Sequence, residues 1–361
     1  MSTEIYVLNR DFELVGIVDR FESLIWRPSY SDMGDFELYM STTEKAVELL
    51  KENYYLVRTQ DISADSDDKI IYKKVMIIKN IKMNTDAENG DHLIITGKEL
   101  KYILHQRLIW TQTNVSGTAE GAIRKFINQN AINPTDGKRK IPTLTLDAEL
   151  GLTDEIEKQA TAKPLDEVIV EICTTYNYGW DIYIYDNAFH FRLYVGTNRS
   201  YDQTTLPYVV FCDDYKNLNN SEYHKVTENY ANVALVGGEG EGLERIYETV
   251  NGDISGLDRF ETFVDASSVS SEEIENTASK HLIYAKRLRE EGKTALAELE
   301  VSEAFTGETV NDGAFVYEED YFLGDVVTVQ NKYGVSKNVR IISAIECTDE
   351  TGESLIPQFN F

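Results

Sequence analysis

The chain has 361 residues, a mass of 41.1 kDa and a formal net charge of −27 at pH 7, from 35 basic and 62 acidic residues. Because like charges repel over a Debye length, this balance argues against binding to nucleic acid or to anionic membranes. No apolar run approaches the roughly 20 residues that span a bilayer, and the N-terminus lacks the basic and apolar regions of a secretory signal. We therefore expect a protein that is made in a cytosol.

The length predicts about two or three domains. The 22 tyrosines and 14 phenylalanines favour β structure. The three cysteines, Cys173, Cys212 and Cys347, lie far apart and show no metal-ligand spacing, so we expect neither a disulfide framework nor a metal site. Cys173 lies in an apolar helical stripe and is predicted to be a core residue.

The first hundred residues show mainly strand patterns. Alternating residues predict strands over 5–8, 12–18, 21–27, 34–40, 54–60, 70–83 and 92–96. Ser41 and Glu44 fit a capping box at the start of a helix. The acidic stretch 61–68 lacks the glycine and the late glutamate of a calcium loop, so it predicts a solvated turn. Residues 97–107 have the period of a helix.

From about residue 109 to 201 the pattern is mixed. Ser116 is the predicted cap of a helix that runs to Asn130, and Pro164 suits the first turn of a second helix. The loop 133–140 is basic, which is unusual in so acidic a chain. Strands over 180–185 and 188–195 predict a hairpin, because Asn187 accepts the left-handed conformation that tight turns require.

The last third is again rich in strand patterns, with one long helix. A capping box at 270–273 begins that helix, and Gly292 is its predicted end. Strands are predicted over 295–301, 325–330, 338–347 and 354–361.

A glycine-rich stretch at 229–242 superficially resembles a nucleotide-binding loop. Such a loop needs free backbone N–H groups and no negative charge nearby. Glu239 and Glu241 would repel a phosphate, and a strand pattern follows instead of a helix. The stretch therefore predicts a hairpin or a barrel corner, in which glycine supplies positive φ.

Catalytic motifs are absent from the sequence. The five histidines are scattered, and there is no zinc-binding, nucleophile-elbow or phosphate-loop pattern. The aromatic residues Tyr176, Tyr178 and Trp180 would suit stacking on sugars, but their spacing favours core and sheet positions. We expect no catalytic residue, no cofactor and no metal.

Two segments near opposite ends of the chain resemble each other. The hairpins 75–94 and 339–356 share the pattern V-x-I-I-x-x-I, a polar turn with glycine, and Leu-Ile. Each follows a strand that ends in glutamine, at Gln60 or Gln330. Any two hairpins look alike, but the flanking strand favours a duplicated domain.

The duplication predicts a β-rich α+β protein with two related β-barrel-like domains and a mixed α/β region inserted between them. The expected boundaries are 1–108 for the first domain, 109–205 for the inserted region and 206–361 for the second domain. The second domain includes the long helix, at about 270–292.

Several stretches together resemble one family, the siphophage gp37-like tail hub proteins, which are related to the baseplate hubs of contractile tails. The resemblance spans nearly the whole chain, and its strength lies in the order of its parts. Its carriers are Trp26 and Arg27, 34–38, 96–100, Arg107, 196–200, 229–242, 255–265 and 320–327.

The resemblance implies a homotrimeric, non-enzymatic hub at the virion tail tip. Two similar domains in each of three chains would present six similar edges, so that a threefold hub could join a sixfold tail tube or distal tail ring. A tape-measure protein and a spike, fibre or receptor-binding protein are the other implied partners. DNA would pass through the lumen without specific binding, and no stable membrane insertion is expected. Phage, prophage and tailed bacteriocin stay open as sources.

The resemblance assigns positions in turns or interfaces to seven residues: Gly34, Gly237, Gly238, Gly240, Arg259, Gly324 and Asp325. The glycines would form turns, Asp325 would start a strand, and Arg259 would pair within a β interface. Two other functions remain open: a carbohydrate-binding or wall-degrading enzyme at the tail tip, and a metabolic enzyme with a nucleotide at the glycine turn. Many larger relatives add a hydrolase or receptor-binding region, so a chain that stops at Phe361 is not expected to be lytic.

Overall fold

The computed structural model describes residues 3–85, 90–271, 279–299, 302–309 and 314–360. The first segment of the chain forms two short helices, α1 (Glu44–Leu49) and α2 (Tyr102–His105), together with a 3₁₀ turn at Thr59–Asp61. Its strands are β1 (Ile5–Leu8), β2 (Leu14–Val18), β3 (Ser23–Arg27), β4 (Asp35–Ser41), β5 (Tyr55–Arg58), β6 (Ile62–Ala64), β7 (Ile70–Tyr72), β8 (Met76–Asn84) and β9 (His92–Glu99).

The middle segment alternates strands with longer helices. Its elements are β10 (Thr113–Thr118), α3 (Ala119–Ile127), a π-helical turn (Asn128–Ile132), β11 (Leu144–Leu146), β12 (Glu155–Ala160), α4 (Leu165–Tyr176), β13 (Gly179–Tyr185) and β14 (Ala188–Tyr194).

The last segment contains the longest helix within the described residues, α5 (Lys280–Glu298). Its strands are β15 (Val210–Cys212), β16 (Leu218–Val226), β17 (Val233–Gly237), β18 (Tyr247–Val250), β19 (Glu261–Asp265), β20 (Ser302–Thr309), β21 (Val326–Gln330), β22 (Ser336–Asp349) and β23 (Gly352–Asn360).

A large sheet joins the two ends of the chain. In the described residues it has 13 strands, in the order β16-β20-β23-β22-β3-β4-β9-β8-β5-β1-β2, and β21 pairs with both β15 and β22. The central contact is antiparallel, with Trp26 of β3 opposite Glu346 of β22. Successive side chains of a strand point to opposite faces of the sheet. In β4, the alternate residues Phe36, Leu38 and Met40 are buried in the core.

The two hairpins of the sequence repeat are both present in this sheet. β8 pairs with β9, and β22 pairs with β23. The flanking strands pair in matching register, because Leu56 of β5 is opposite Met76 and Val326 of β21 is opposite Arg340. Met76 and Arg340 occupy the same place in the shared pattern.

Both hairpins also carry an irregularity near the same place. The register of β8 shifts between Ile78 and Asn80, and that of β22 shifts between Ile341 and Ser343. When the shared patterns are aligned, the two shifts lie within one residue of each other. A β-bulge re-aims the strand and increases its local twist, so the shared irregularity adds to the likeness of the two hairpins.

Separate hydrophobic cores serve the two ends of this sheet. One packs residues such as Ile5, Trp26 and Leu38, and the other packs residues such as Phe211, Val327 and Ile341. The middle segment has a third core built on α3, α4 and the β13–β14 hairpin. β7 pairs with β13, so the first segment contributes strands to the sheet of the middle segment.

A fourth core lies within the last segment. β17 is flanked by β18, which is antiparallel, and by β19, which is parallel, and α5 packs on this small sheet. The hairpin predicted at the glycine-rich stretch is present, although its second strand begins only at Tyr247. No helix of the described residues is both long and apolar enough to cross a membrane.

Helix α5 corrects two predictions. It runs through Gly292 to Glu298, so Gly292 does not end the helix and residues 295–298 are not strand. A Cβ at Gly292 would lie 2.7 Å from methyl groups of both Val236 and Val250, so the glycine allows close packing on β17 and β18. The predicted cap at 270–273 falls partly on residues 272–278, outside the described residues.

The helix starts are also corrected. Thr43 and Thr118, not Ser41 and Ser116, cap α1 and α3, and each threonine hydroxyl accepts a hydrogen bond from a first-turn N–H group. Ser41 is the last residue of β4, and Ser116 lies in β10, which continues up to α3. The helix predicted over 97–107 is reduced to the single turn of α2, because β9 extends to Glu99.

Candidate functional site

Four charged side chains meet where the first and last segments of the chain join. We call Arg58, Asp61, Lys74 and Glu346 the charge cluster. The guanidinium of Arg58 donates to Asp61 at 2.7 Å and to both carboxylate oxygens of Glu346 at 2.8 and 3.0 Å. Lys74 Nζ donates to Glu346 at 3.2 Å and lies 3.8 Å from Asp61.

The charge cluster is largely withdrawn from solvent. Arg58 is 2% exposed and Asp61 is 4% exposed. Burial opposes the ionisation of Glu346, but the charges of Lys74 and Arg58 outweigh it and lower the pKa of Glu346 to about 2. Burial raises the pKa of Asp61, and Arg58 acts against that rise. A third carboxylate, that of the half-exposed Glu318, lies 2.5 Å from Lys74, so each cation of the charge cluster has at least two acidic partners.

The charge cluster corrects the prediction of a solvated turn over the whole of 61–68. Asp61 closes a 3₁₀ turn directly after β5 and is buried. Asp65 begins the exposed turn instead, and its carboxylate accepts hydrogen bonds from the N–H groups of Asp67 and Lys69.

Tyr30 holds three parts of the chain together. Its hydroxyl donates to the carbonyl of Asn177 at 2.9 Å and accepts from the N–H of Gly196 at 3.1 Å, both in the middle segment. Its main-chain N–H donates to Ile342 of β22 at 2.8 Å. Burial raises the pKa of Tyr30, so the phenol stays protonated and able to donate. We call the meeting of 28–35, 194–199 and 324–326 the Tyr30 junction.

Glycines allow this close approach. A Cβ at Gly324 would lie 2.1 Å from the Tyr30 ring, and one at Gly196 would lie 1.7 Å from the carbonyl oxygen of Gly324. Gly324 also has a φ of +88°, which is in the left-handed region. The Gly324 carbonyl accepts a 2.6 Å hydrogen bond from Arg340 of β22. The chain can therefore turn against Tyr30 only without a side chain at this position.

Asp325 organises the other side of the Tyr30 junction. It is 2% exposed and lies directly before β21. One carboxylate oxygen accepts from the N–H of Thr197 at 2.7 Å, and the other accepts from Arg199 at 2.8 Å and from the N–H of Phe322 at 3.0 Å. The carboxylate thus fixes the end of the middle segment against the start of β21.

Gly34 lies at the edge of the same junction. Its N–H donates to Glu99 at 2.6 Å, and Lys101 lies 3.1 Å from that carboxylate. Lys101 also donates to the carbonyls of Ser29 and Asp32, which closes the loop 28–34. Burial raises the pKa of Glu99, against the effect of Lys101.

The other residues predicted to form turns or interfaces lie elsewhere, around β17–β19. Gly240 has a φ of +97°, whereas Gly237 and Gly238 make room for Arg245 and for Tyr284 and Leu288 of α5. Arg259 pairs with Glu261 at 2.6 Å, within its own segment of chain. The structure therefore brings Gly34, Gly324 and Asp325 together at the Tyr30 junction. Gly237, Gly238, Gly240 and Arg259 lie away from that junction, around β17–β19.

The sequence profile of the siphovirus ReqiPepy6 Gp37-like protein family matches residues 4–359, which is almost the whole chain. The chain belongs to this family. No curated protein matches this Gp37-like chain.

Solved structures of phage tail proteins share the fold. A tail protein from Neisseria meningitidis MC58 is 13% identical, with a TM-score of 0.58 over 99% of this chain and 96% of the other. The 43 kDa tail protein of prophage MuSo2 from Shewanella oneidensis is 11% identical, with a TM-score of 0.57 over 99% and 98%. Prophage tail protein gp18 from Listeria monocytogenes EGD-e is 12% identical, with a TM-score of 0.54 over 99% and 94%. The Gp37-like chain thus has a phage tail protein fold.

Several residues that join distant parts of this Gp37-like protein were not predicted from its sequence. Arg58, Lys74, Glu346 and Tyr30 carry no local motif, and Glu346 lies 288 positions from Arg58. The strand predicted over 54–60 ends at Arg58, and Asp61, the first residue of the acidic stretch 61–68, closes the 3₁₀ turn that follows it. Among the described residues, no group of three or more metal-binding side chains is found.

Proposed function

We propose that this Gp37-like protein is a structural hub of a phage tail tip. Three copies would form a ring that joins the sixfold tail tube or distal tail ring to a threefold spike or fibre. The observation that carries the proposal is the pair of equivalent hairpins in one sheet, each with a flanking strand in matching register. Two similar edges in each of three chains supply six contacts to a sixfold partner.

The arrangement suits a part that must bear load between two rings. The equivalent hairpins belong to one continuous sheet through β3 and β4, so that they keep a fixed spacing. The charge cluster and the Tyr30 junction fasten the first, middle and last segments to one another. We assign Gly34, Gly324 and Asp325 to this internal fastening. The net charge of −27 suits a channel wall from which passing DNA is repelled.

The second function considered from the sequence is a carbohydrate-binding or wall-degrading enzyme. The positions of the three aromatic residues considered for it do not support that role. Tyr178 and Trp180 are buried in the core of the middle segment. Tyr176 packs at the edge of that core, and its hydroxyl donates to Glu290 at 2.8 Å.

The mass and symmetry of the purified protein test the hub proposal. Light scattering should give three times the 41.1 kDa of the chain, and negative-stain images should show threefold rings with six peripheral features. When the distal tail protein of the same virion is added, it should bind to and cover one face of the ring. Closed rings of another order, or a monomer that forms no ring with that partner, would contradict the proposal.

A further inference from the structure

A cleft in the middle segment contains an exposed tryptophan. Its volume is about 740 Å³, which is within the range of small-ligand sites. Trp110 lines the cleft and is 64% exposed, whereas Trp26 and Trp180 are fully buried. Exposed tryptophan is costly to solvate and concentrates at binding surfaces, where the indole supplies a large apolar face at low entropic cost.

The opposite wall of the cleft is an unusual piece of helix. After α3 the chain continues as the π-helical turn Asn128–Ile132, which closes with a 2.7 Å hydrogen bond from the N–H of Asn133 to the carbonyl of Asn128. Such turns are rare and are frequently found at functional sites. This one places the side chains of Gln129 and Asn133 on the cleft wall, beside Thr135. Amides and hydroxyls are the groups that bind sugar hydroxyls.

The cleft is also positively charged. The guanidinium of Arg139 lies 4.5 Å from the centroid of the Trp110 ring. Lys125 also lines the cleft and donates to the carbonyl of Asn114 at 2.7 Å. Arg107 does not line the cleft, but it donates to the main-chain carbonyl of Arg139 at 2.5 Å. Burial and the nearby charge of Arg139 lower the pKa of Arg107.

The cations that line the cleft outnumber its acidic residues. Within the part of the chain that the structure describes, Arg107, Lys125 and Arg139 form no ion pair. Asp136 is the acidic residue in the lining and accepts a hydrogen bond from the main-chain N–H of Lys138, so Lys125 and Arg139 exceed it by one formal positive charge. The basic loop predicted at 133–140 thus forms part of a positive site on a protein of net charge −27.

We propose that the Trp110 cleft binds an anionic saccharide. A pyranose ring would stack on the face of the indole that Arg139 does not cover. Its hydroxyls would bond to Gln129 and Asn133, and its carboxylate or phosphate would meet Arg139 and Lys125. A single-stranded nucleic acid also stacks on aromatic residues, but the charge of the whole protein repels a long polyanion more than a short charged sugar.

The cleft is independent of the hub proposal. Its lining residues lie between 110 and 139, away from the charge cluster and the Tyr30 junction. Sugar binding and ring assembly are measured separately, so failure of one proposal leaves the other standing.

Tryptophan fluorescence of the full chain provides the test. The response to a bound sugar comes from Trp110, because the other two tryptophans are fully buried. Trigalacturonic acid and trehalose 6-phosphate are the carboxylate and phosphate probes, cellotriose is the neutral probe, and a ten-residue oligothymidylate represents nucleic acid. We expect saturable changes with one or both anionic sugars, weakening as salt is raised.

Substitutions separate stacking from charge. By calorimetry, Trp110→Ala should weaken binding of the anionic sugars about tenfold or more. Arg139→Gln should also weaken their binding and should abolish the preference for them over cellotriose. Tyr333→Ala is the matched control, because Tyr333 is 82% exposed and has Lys332 at 5.2 Å from its ring centroid; its affinity should be unchanged. Binding to neither anionic sugar, equal binding of cellotriose, or tighter binding of the oligothymidylate would each overturn the proposal.

Discussion

Arg58 and Glu346 are 288 residues apart in the chain, yet two hydrogen bonds of 2.8 and 3.0 Å join the guanidinium of one to the carboxylate of the other. The contact connects β5 in the first segment with β22 in the last. β22 in turn pairs with β3, so the charged contact and the backbone ladder fasten the same join. The chain ends are thus held by interactions that form only in the complete fold.

Removing Arg58 should loosen this join. Arg58→Met leaves Asp61 buried without its nearest cation, and breaking a buried pair costs about 3–5 kcal/mol. Because the chain has several cores, local opening measured by hydrogen exchange is the suitable readout. In peptides from β3 and β22, the free energy of opening obtained from amide exchange should fall by about 3–5 kcal/mol.

A surface pair gives the control for this change. Arg27 lies 3.2 Å from Asp35, and both side chains are more than one third exposed. Arg27→Met should cost at most about 1 kcal/mol, because solvent screens such pairs. Equal loss of protection in the two variants would show that burial of the charge cluster has no energetic consequence.

Glu346 should make the free energy of unfolding depend on pH in the acid range. Its pKa is about 2 in the folded protein and near 4.5 when unperturbed, so unfolding takes up a proton between these values. The stabilisation is complete above pH 4.5 and is lost as the pH falls towards 2. In Glu346→Gln this contribution is absent, so the gap between the melting temperatures of the wild type and the variant should narrow across that window. A gap that stays constant from pH 6 to the acid limit contradicts the assignment.

Gly324 should tolerate no side chain. Alanine there would adopt a φ of +88° and would place its Cβ 2.1 Å from the Tyr30 ring. Left-handed strain costs about 1–2 kcal/mol and overpacking adds about 1–3 kcal/mol. Gly334 has a φ of +84° with open space around it, so Gly334→Ala isolates the strain.

The two glycine variants should therefore differ. We expect Gly324→Ala to lower the free energy of opening around Tyr30 by about 2–5 kcal/mol, and to expose amides of 194–199 and β21 to exchange. Gly334→Ala should affect only its own turn, by about 1–2 kcal/mol. Similar effects at both positions would mean that contact with Tyr30 contributes nothing.

Local patterns predicted most strands, because alternation and turn residues act over a few positions. The hairpin at Asp186 and Asn187 is an example, since both residues have positive φ as the tight turn requires. The helix starts were misplaced by two residues because Thr43 and Thr118 offer the same cap chemistry as Ser41 and Ser116, and strand pairing selects between them.

The contacts that fasten the fold could not be predicted in this way. Asp61 lies in an acidic stretch that favours a solvated turn, and its ion pairs with Arg58 and Lys74, which the distant Glu346 also binds, explain its burial. Gly292 has the residue type of a helix end, but the sheet beneath α5 determines its role. Both misreadings involve partners that approach only after the chain has folded.

Gly292 provides a test in which two effects oppose each other. Alanine raises helix propensity by about 1 kcal/mol over glycine, but its Cβ would lie 2.7 Å from methyl groups of Val236 and Val250. Overpacking costs about 1–3 kcal/mol, so Gly292→Ala should be neutral to destabilising, with faster hydrogen exchange in β17 and β18. Gly121 of α3 is exposed, and a Cβ there would meet only the Thr118 hydroxyl, at 3.0 Å. Gly121→Ala should therefore stabilise α3 by up to about 1 kcal/mol, and an equal gain at Gly292 would show that α5 does not press on the sheet.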